Sequence, residues 1–376
     1  MYICLIINQV DIHMNKSFLS YFSGMKDPRV DRTKRHLLND IMFITIAAVL
    51  SGAETWNTIE EYGKSKKEWL KGILELPEGI PSHDTFGRVF AALDPDKFED
   101  IFIKWIRSIQ DNSEGEIVSI DGKTLRGSKI RGCKYVTHIV SAWADKNNLI
   151  LGQIKVEEKS NEITAIPKLL DMLLLKGATV TIDAMGTQTK IARKIVSKGA
   201  DYILAVKGNQ GELLDDIKDS FKMLKPNDIS DDIDFGHGRI ETRDCRVITD
   251  LSLVPSAIKW KGIKSIIEVE RKRDFKNIDK KEQEVSYYIS THIQAKTIAN
   301  GIRKHWGIEN KVHWVLDVAF NEDHSRKRTG NAAKNFTNIN RIALNMLRRS
   351  EKKVSIVNKR FAAGWDNNYL LSLLKI

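Results

Sequence analysis

A chain of 376 residues is long enough for two or three structural units and a sizeable core, and 42% apolar with 29% charged residues excludes a disordered or fibrous protein. Its formal charge of +11 points to a polyanion, nucleic acid or an anionic membrane surface, with a merely solvated cationic surface as the alternative. The apolar stretch MFITIAAVLSGA from Met42 falls short of the ~20 residues of a membrane span, which weakens the membrane reading and leaves nucleic acid ahead.

The opening MYICLII is too short for a signal sequence and lacks a basic segment before it. Cys4, Cys133 and Cys245 have neither zinc-ligand spacing nor a disulfide framework, so a reduced, cytoplasmic setting is expected. Residues 1–26 form an extension of no clear assignment, and Met1 and Met14 both remain open as the natural start.

Residues 27–110 read as helices. HLLNDIMFITIAAVLSG carries an apolar face and stops at Gly52. DPDKFEDIFIKWIRSI opens with Asp94 as N-cap and Pro95 in the first turn, and Phe98, Ile101, Phe102, Trp105 and Ile106 follow at the spacing of a buried face. The polar run DNSEGE (111–116) marks a domain boundary. IVSID, CKYVTHIVSAWAD and LILGQIKVEE then read as strands, the last two joined by the turn DKNN. A helix over EITAIPKLLDMLLLKG, with Pro167 near its first turn and Gly177 as its stop, leads to the strand ATVTID. The helix TQTKIARKIVSKG and the strand DYILAVKG come next. This order predicts an antiparallel meander followed by parallel crossovers.

From Gly211 to Tyr288 the helical GELLDDIKDSF gives way to strand-like ETRDCRVIT, IKSIIEVERKR and EVSYYISTH. QAKTIANGIRKHWGIENKVHWVLDVAF reads as a helix or helix pair. Residues 323–360 hold eleven Lys or Arg against two acids, and read as amphipathic helices with one cationic face.

Asp121 and Asp183 end the first and fourth strands. If those strands are parallel neighbours, the two carboxylates converge on one edge of the sheet. Bare carboxylates that close repel one another, a conflict that divalent cations remove. A late helix offers a third acid, Glu309, with His305 and His313 four residues to either side and Asp317 further round. Trp306 and Trp314 lie on the adjoining stripe; their burial tendency puts them in the core, a base-stacking platform being the other reading. Two metals about 3.5–4 Å apart would activate water and stabilise the leaving oxygen of a phosphodiester. Lys123 and Arg126, just beyond Asp121, would hold the flanking phosphates. A zinc hydrolase on His305, Glu309 and His313 lacks the HExxH order.

These residues lie in a series of motifs: SGAETWNTIEEYG, GIPSHDTFGRVF, IDGKTLRGS, EKSNEITAIPKLL, TIDAMGTQ, YILAVKGNQG, HGRIETR, HWGIENKVHWVLDVAFNEDHSRKR and GNAAKNF. In that order they resemble the DDE transposases of bacterial insertion sequences, in the ISAs-type, H-repeat-associated group, from about Asp27 to the end. The resemblance implies an α/β fold: a ribonuclease H-like catalytic core, a mixed sheet with flanking helices, over 117–210 and 291–376. An all-helical domain would precede it, a β-rich insertion would occupy 211–290, and the C-terminal part would be basic and helical. It implies Asp121, Asp183 and Glu309 as catalytic metal ligands, Mg²⁺ with Mn²⁺ as substitute, and cleavage and joining of double-stranded DNA at element ends by a homo-oligomer, without a membrane. The intervals fit: 62 positions from Asp121 to Asp183 suit two strands and a helix, and the 126 from Asp183 to Glu309 leave room for the insertion.

Within the insertion, HGRIETRDCR reads as a DNA-contacting strand through Arg239 and Arg243, cationic surface being the alternative. Lys207, Arg303, His305 and Arg326 complete the expected DNA-contacting set. The wider clan often has a tyrosine and an arginine before the glutamate and a lysine seven residues after it; here those positions are Ile302, His305 and Leu316. Either Arg303, Lys304 and Lys311 do that work or DNA-end handling differs. A non-catalytic DNA-binding relic and a structure-directed nuclease on the same fold are the rival expectations.

Overall fold

The computed structural model describes residues 18–129, 136–157, 161–236, 238–275 and 281–375. Cys4, Cys133, both start methionines, His237 of the HGRIETR motif and most of the N-terminal extension lie outside them. Five helices come first: α1 (Leu38–Leu50), α2 (Trp56–Ser65), α3 (Lys67–Lys71), α4 (His83–Ala92) and α5 (Pro95–Ile109). α1 is apolar nearly all round and is correspondingly buried on all sides. Asp94 caps α5 by accepting from the Asp96 and Lys97 amides, and the expected stripe of α5 is buried. Phe22, within the segment read as an extension, is buried edge-on against Phe98, with 5.6 Å between ring centroids.

The sheet begins with β1 (Ile117–Thr124), β2 (His138–Ala144) and β3 (Leu149–Lys155), an antiparallel meander. Helix α6 (Glu162–Met172) leads to β4 (Thr179–Ile182), and α7 (Thr189–Ser197) to β5 (Asp201–Val206). β4 runs parallel to both β1 and β5, as the strand–helix alternation predicts. Two details differ from expectation. Pro167 lies inside α6, which ends at Met172 well before Gly177. β1 does not stop at Asp121 but stays paired with β2 through Thr124.

Helix α8 (Gly211–Met223) is followed by β6 (Asp228–Gly236), β7 (Arg239–Ile248), β8 (Ser265–Phe275) and β9 (Lys281–Ser290). β9 pairs antiparallel with β5, so all nine strands form one mixed sheet in the order β3-β2-β1-β4-β5-β9-β8-β7-β6. β6 has no counterpart in the sequence reading, because aspartate is depleted in strands and this one carries Asp228, Asp231, Asp232 and Asp234.

Helix α9 (Ala295–His305), a π-helical turn (Ile308–His313) and α10 (Trp314–Phe320) form a nearly continuous rod, followed by α11 (Ala332–Arg349), α12 (Ile356–Trp365) and α13 (Asn367–Leu374). The basic tail departs from expectation. α11 is buried for most of its length, including Asn335, Asn338, Asn340, Arg341 and Asn345. Its polar side chains satisfy neighbouring backbone: Asn345 exchanges two 2.9 Å hydrogen bonds with Ile150 on the outer edge of β3, and Asn335 donates to the Phe90 and Leu93 carbonyls. Arg341 pairs with buried Glu322 at 2.8 Å, and Lys359 and Arg360 are also buried. Part of the tail's positive charge therefore serves the core, where each cation has found an anion or carbonyl.

Candidate active site

The parallel register sets the geometry. Ile120 stands opposite Ile182 as the last β1–β4 pair, which makes Asp121 and Asp183 the next positions on adjacent strands. β4 ends there while β1 continues, so Asp183 enters the following turn and its carboxylate accepts from the Gly186 amide at 3.2 Å. Strand alternation puts Ser119, Asp121 and Thr181 on the face that α9 covers, where Thr181 Oγ1 is 3.0 Å from His305 Nδ1. Glu309 sits on the π turn, a local unwinding often found at functional sites, and is exposed. Asp121, Asp183 and Glu309 line one cleft of about 570 Å³, with Lys207, Lys218, Arg271, His305 and Trp306.

Burial raises the Asp121 carboxyl to about 7, with repulsion from Glu162, Asp183 and Glu309 adding to it. Asp183 is raised for the same first reason and by Glu162, while the Gly186 amide and Lys207 pull the other way. His313 Nδ1 lies 3.5 Å from Asp121 Oδ2; burial, reinforced by Arg341 and Lys123, lowers this imidazole to about 3 and keeps it neutral. Burial likewise lowers His305 to about 4. Among the described residues no three His, Cys, Asp or Glu side chains already stand close enough to clamp an ion, and none form the zinc arrangement considered above.

The expected cations divide sharply. Lys207 lines the cleft and is exposed, as are Arg326 and Arg126, the last lying 3.6 Å from Asp323. Lys123 does not face the cleft's solvent. It is buried, bonded to Asp317 and within 3.5 Å of Glu322 and 3.9 Å of Asp323, so it is withdrawn from the DNA-contacting set. His305 lines the cleft with Nδ1 bonded to Thr181 and its ring held neutral by burial, so it would meet a phosphate without a charge. Arg303 bonds to Asp232 and, at 2.8 Å, to Asp234; Arg243 pairs with Glu241 at 2.6 Å, and Arg239 with Glu241 at 3.3 Å. Lys304 and Lys311 both pair with Asp145, at 2.9 and 2.7 Å. Trp306 and Trp314 are 49% and 60% exposed, which overturns the core expectation for both.

One acid escaped sequence reasoning. Glu162, the first residue of α6, adds its negative charge to the upward push on both Asp121 and Asp183. Its only signal in the sequence was its place in EKSNEITAIPKLL, where a glutamate opening a helix reads as a partner for the helix dipole.

Residues 112–346 match the family model described as Transposase DDE domain, and residues 19–106 the one described as DDE_Tnp_1-associated. The chain belongs to the DDE transposase family. It is 43% identical over 370 residues to the Escherichia coli O157:H7 protein named "Putative transposase YncI", covering 96% of this chain and 94% of that one. It is 40% identical over 370 residues to the "H repeat-associated putative transposase YhhI" of Escherichia coli K12, covering 96% and 98%. Transposases bind DNA, and DDE domains generally use divalent metal ions. The donor set of this family member fits such ions: carboxylates are the hard oxygen ligands that Mg²⁺ and Mn²⁺ take, and their mutual repulsion is what a cation relieves. No helix of the described residues is long and apolar enough to cross a membrane.

Proposed function

We propose that this transposase cuts phosphodiesters at the ends of an insertion sequence and joins the freed 3′ hydroxyl to target DNA. It does so in the cytoplasm, on a ribonuclease H-like core, as a homo-oligomer on its DNA. The carrying observation is the juxtaposition of Asp121 and Asp183 one step beyond a parallel pair, with Glu309 on the same cleft. Residues 117–210 and 291–376 form that core in this reading, after a helical unit at 27–110, and 211–290 is an insertion built into its sheet.

Asp121, Asp183 and Glu309 would hold divalent cations, Mg²⁺ or in its place Mn²⁺. Bound there, a pair of such ions supplies a nucleophile from water and stabilises the oxygen that leaves. Lys207, exposed on the rim, holds a phosphate beside the scissile one, and Arg126 and Arg326 hold flanking phosphates without reading sequence. Arg239, Arg243 and Arg303 join them once DNA phosphates displace Asp232, Asp234 and Glu241 from their guanidinium groups. His305 keeps α9 seated on β4 through Thr181, which fixes where Glu309 stands.

The test is cleavage of a labelled duplex carrying the sequences that flank the gene, with Mg²⁺, with Mn²⁺ and with EDTA. Asp121→Asn, Asp183→Asn and Glu309→Gln should each cut slower by about 10³-fold or more, the scale for losing a group that stabilises the transition state directly, while still binding the duplex. Undiminished cleavage by Asp121→Asn would remove the mechanism. A wild-type protein that binds the duplex in a salt-sensitive way but cuts it with neither metal is a DNA-binding relic.

A further inference from the structure

We propose that Glu162 is a fourth carboxylate of the cation site, brought to Asp121 through the gap at Gly122 and aimed by His138; this rests on the reading of the preceding section. Glu162 Oε1 lies 2.7 Å from His138 Nε2, and the other ring nitrogen of His138 lies 2.9 Å from Thr124 Oγ1. A ring held at both nitrogens cannot turn, so the carboxylate it meets is held in one place. That place is against the backbone of the residue next to Asp121. A Cβ added at Gly122 would collide with Glu162 Oε1 and His138 Nε2, so both side chains would have to shift if any other residue stood there.

Alternation places Gly122 and Asp121 on opposite faces of the sheet. Glu162 therefore comes from the face that α6 covers, whereas Glu309 stands on the α9 side. The end of β4, where Asp183 leaves the sheet, lies between the two.

A latch between α6 and β2 does not require this anion. Glutamine at 162 would accept the same hydrogen bond from His138 without repelling Asp121 and Asp183. A carboxylate rather than an amide at this point sets like charge beside Asp121 and Asp183, which a shared cation would relieve.

The experiment is Mn²⁺ binding to the full-length protein without DNA, followed by electron paramagnetic resonance of the free ion, for wild type, Glu162→Gln, Glu162→Asp and Asp121→Asn. Unfolding in EDTA is measured alongside. Glu162→Gln should raise the Mn²⁺ Kd by about 10–100-fold, the range seen when a partner of a metal site is lost, and should melt in EDTA no lower than wild type. Glu162→Asp, which keeps the charge on a shorter arm, should fall between wild type and Glu162→Gln. If both variants bind Mn²⁺ as tightly as wild type while Asp121→Asn does not, Glu162 is only a latch and the proposal fails with the site intact. If Asp121→Asn also binds normally, or wild type binds none, the metal-site reading fails and takes this one with it.

Discussion

At Asp121 the chain carries a carboxylate whose own fold opposes its ionisation. Its folded pKa of about 7 stands above the ordinary 3.8, so between those values the folded state holds more proton than the unfolded one. Stability from this group is full below about pH 4, falls as the pH rises, and is lost above about pH 7. Asp121→Asn removes the buried charge. In EDTA at pH 8 this variant should therefore melt a few degrees above wild type, with the gap closing toward pH 4, as read by thermal scans. A lower melting point at pH 8 would show that the carboxylate is not repelled there. The sequence brings Asp121 and Asp183 together only on the condition that the first and fourth strands are parallel neighbours, a condition the register meets. Lys123 departs from the expectation because β1 runs on past Asp121. With the strand extended, alternation returns Lys123 to the Asp121 face, where Asp317 and Glu322 await it. Glu162 was illegible because its nearness to Asp121 depends on a missing side chain at Gly122 and on a histidine from another strand.

Among the elements, the short turn after β1 (Arg126–Ser128) is tightly seated. A Cβ on Gly127 would come within 2.5 Å of the Ser325 carbonyl and 2.7 Å of that of Asp323, both backbone atoms that cannot swing aside. Gly127→Ala should cost about 1–3 kcal/mol in urea unfolding, as overpacking does. Gly211→Ala, at φ −56° and ψ −49° with open space around it, should be neutral or stabilise by up to about 1 kcal/mol. Equal stability of the two variants would show that the turn can yield. The helix signals at Asp94, Pro95 and Gly52 were legible because capping is local chemistry. The π turn was not, and without it Glu309 had to be placed on a regular helix face. β6 was hidden by its aspartates, whose strand conformation depends on the pairing of Asp228–Gly236 with β7 and on bonds to Arg303.

Taken whole, the molecule has one main core, to which α1, α5, the sheet and α11 all contribute. Composition predicts a sizeable core, and the change of pattern near Gly211 leads to the expectation of an insertion, but neither shows that β9 pairs with β5. That pairing has a testable result. A chain with residues 211–290 replaced by a short linker keeps every proposed metal ligand yet bares the edge of β5, and should self-associate on light scattering at concentrations where the full chain does not. A well-behaved monomeric deletion protein would show that the insertion is detachable. The two outermost strands carry a further implication. Asn345 already occupies backbone groups on the rim of β3, and the β6 rim bristles with aspartates that would repel a second such rim. Both borders therefore disfavour pairing with a neighbour's strand, and the homo-oligomer proposed above would be built through helices and loops.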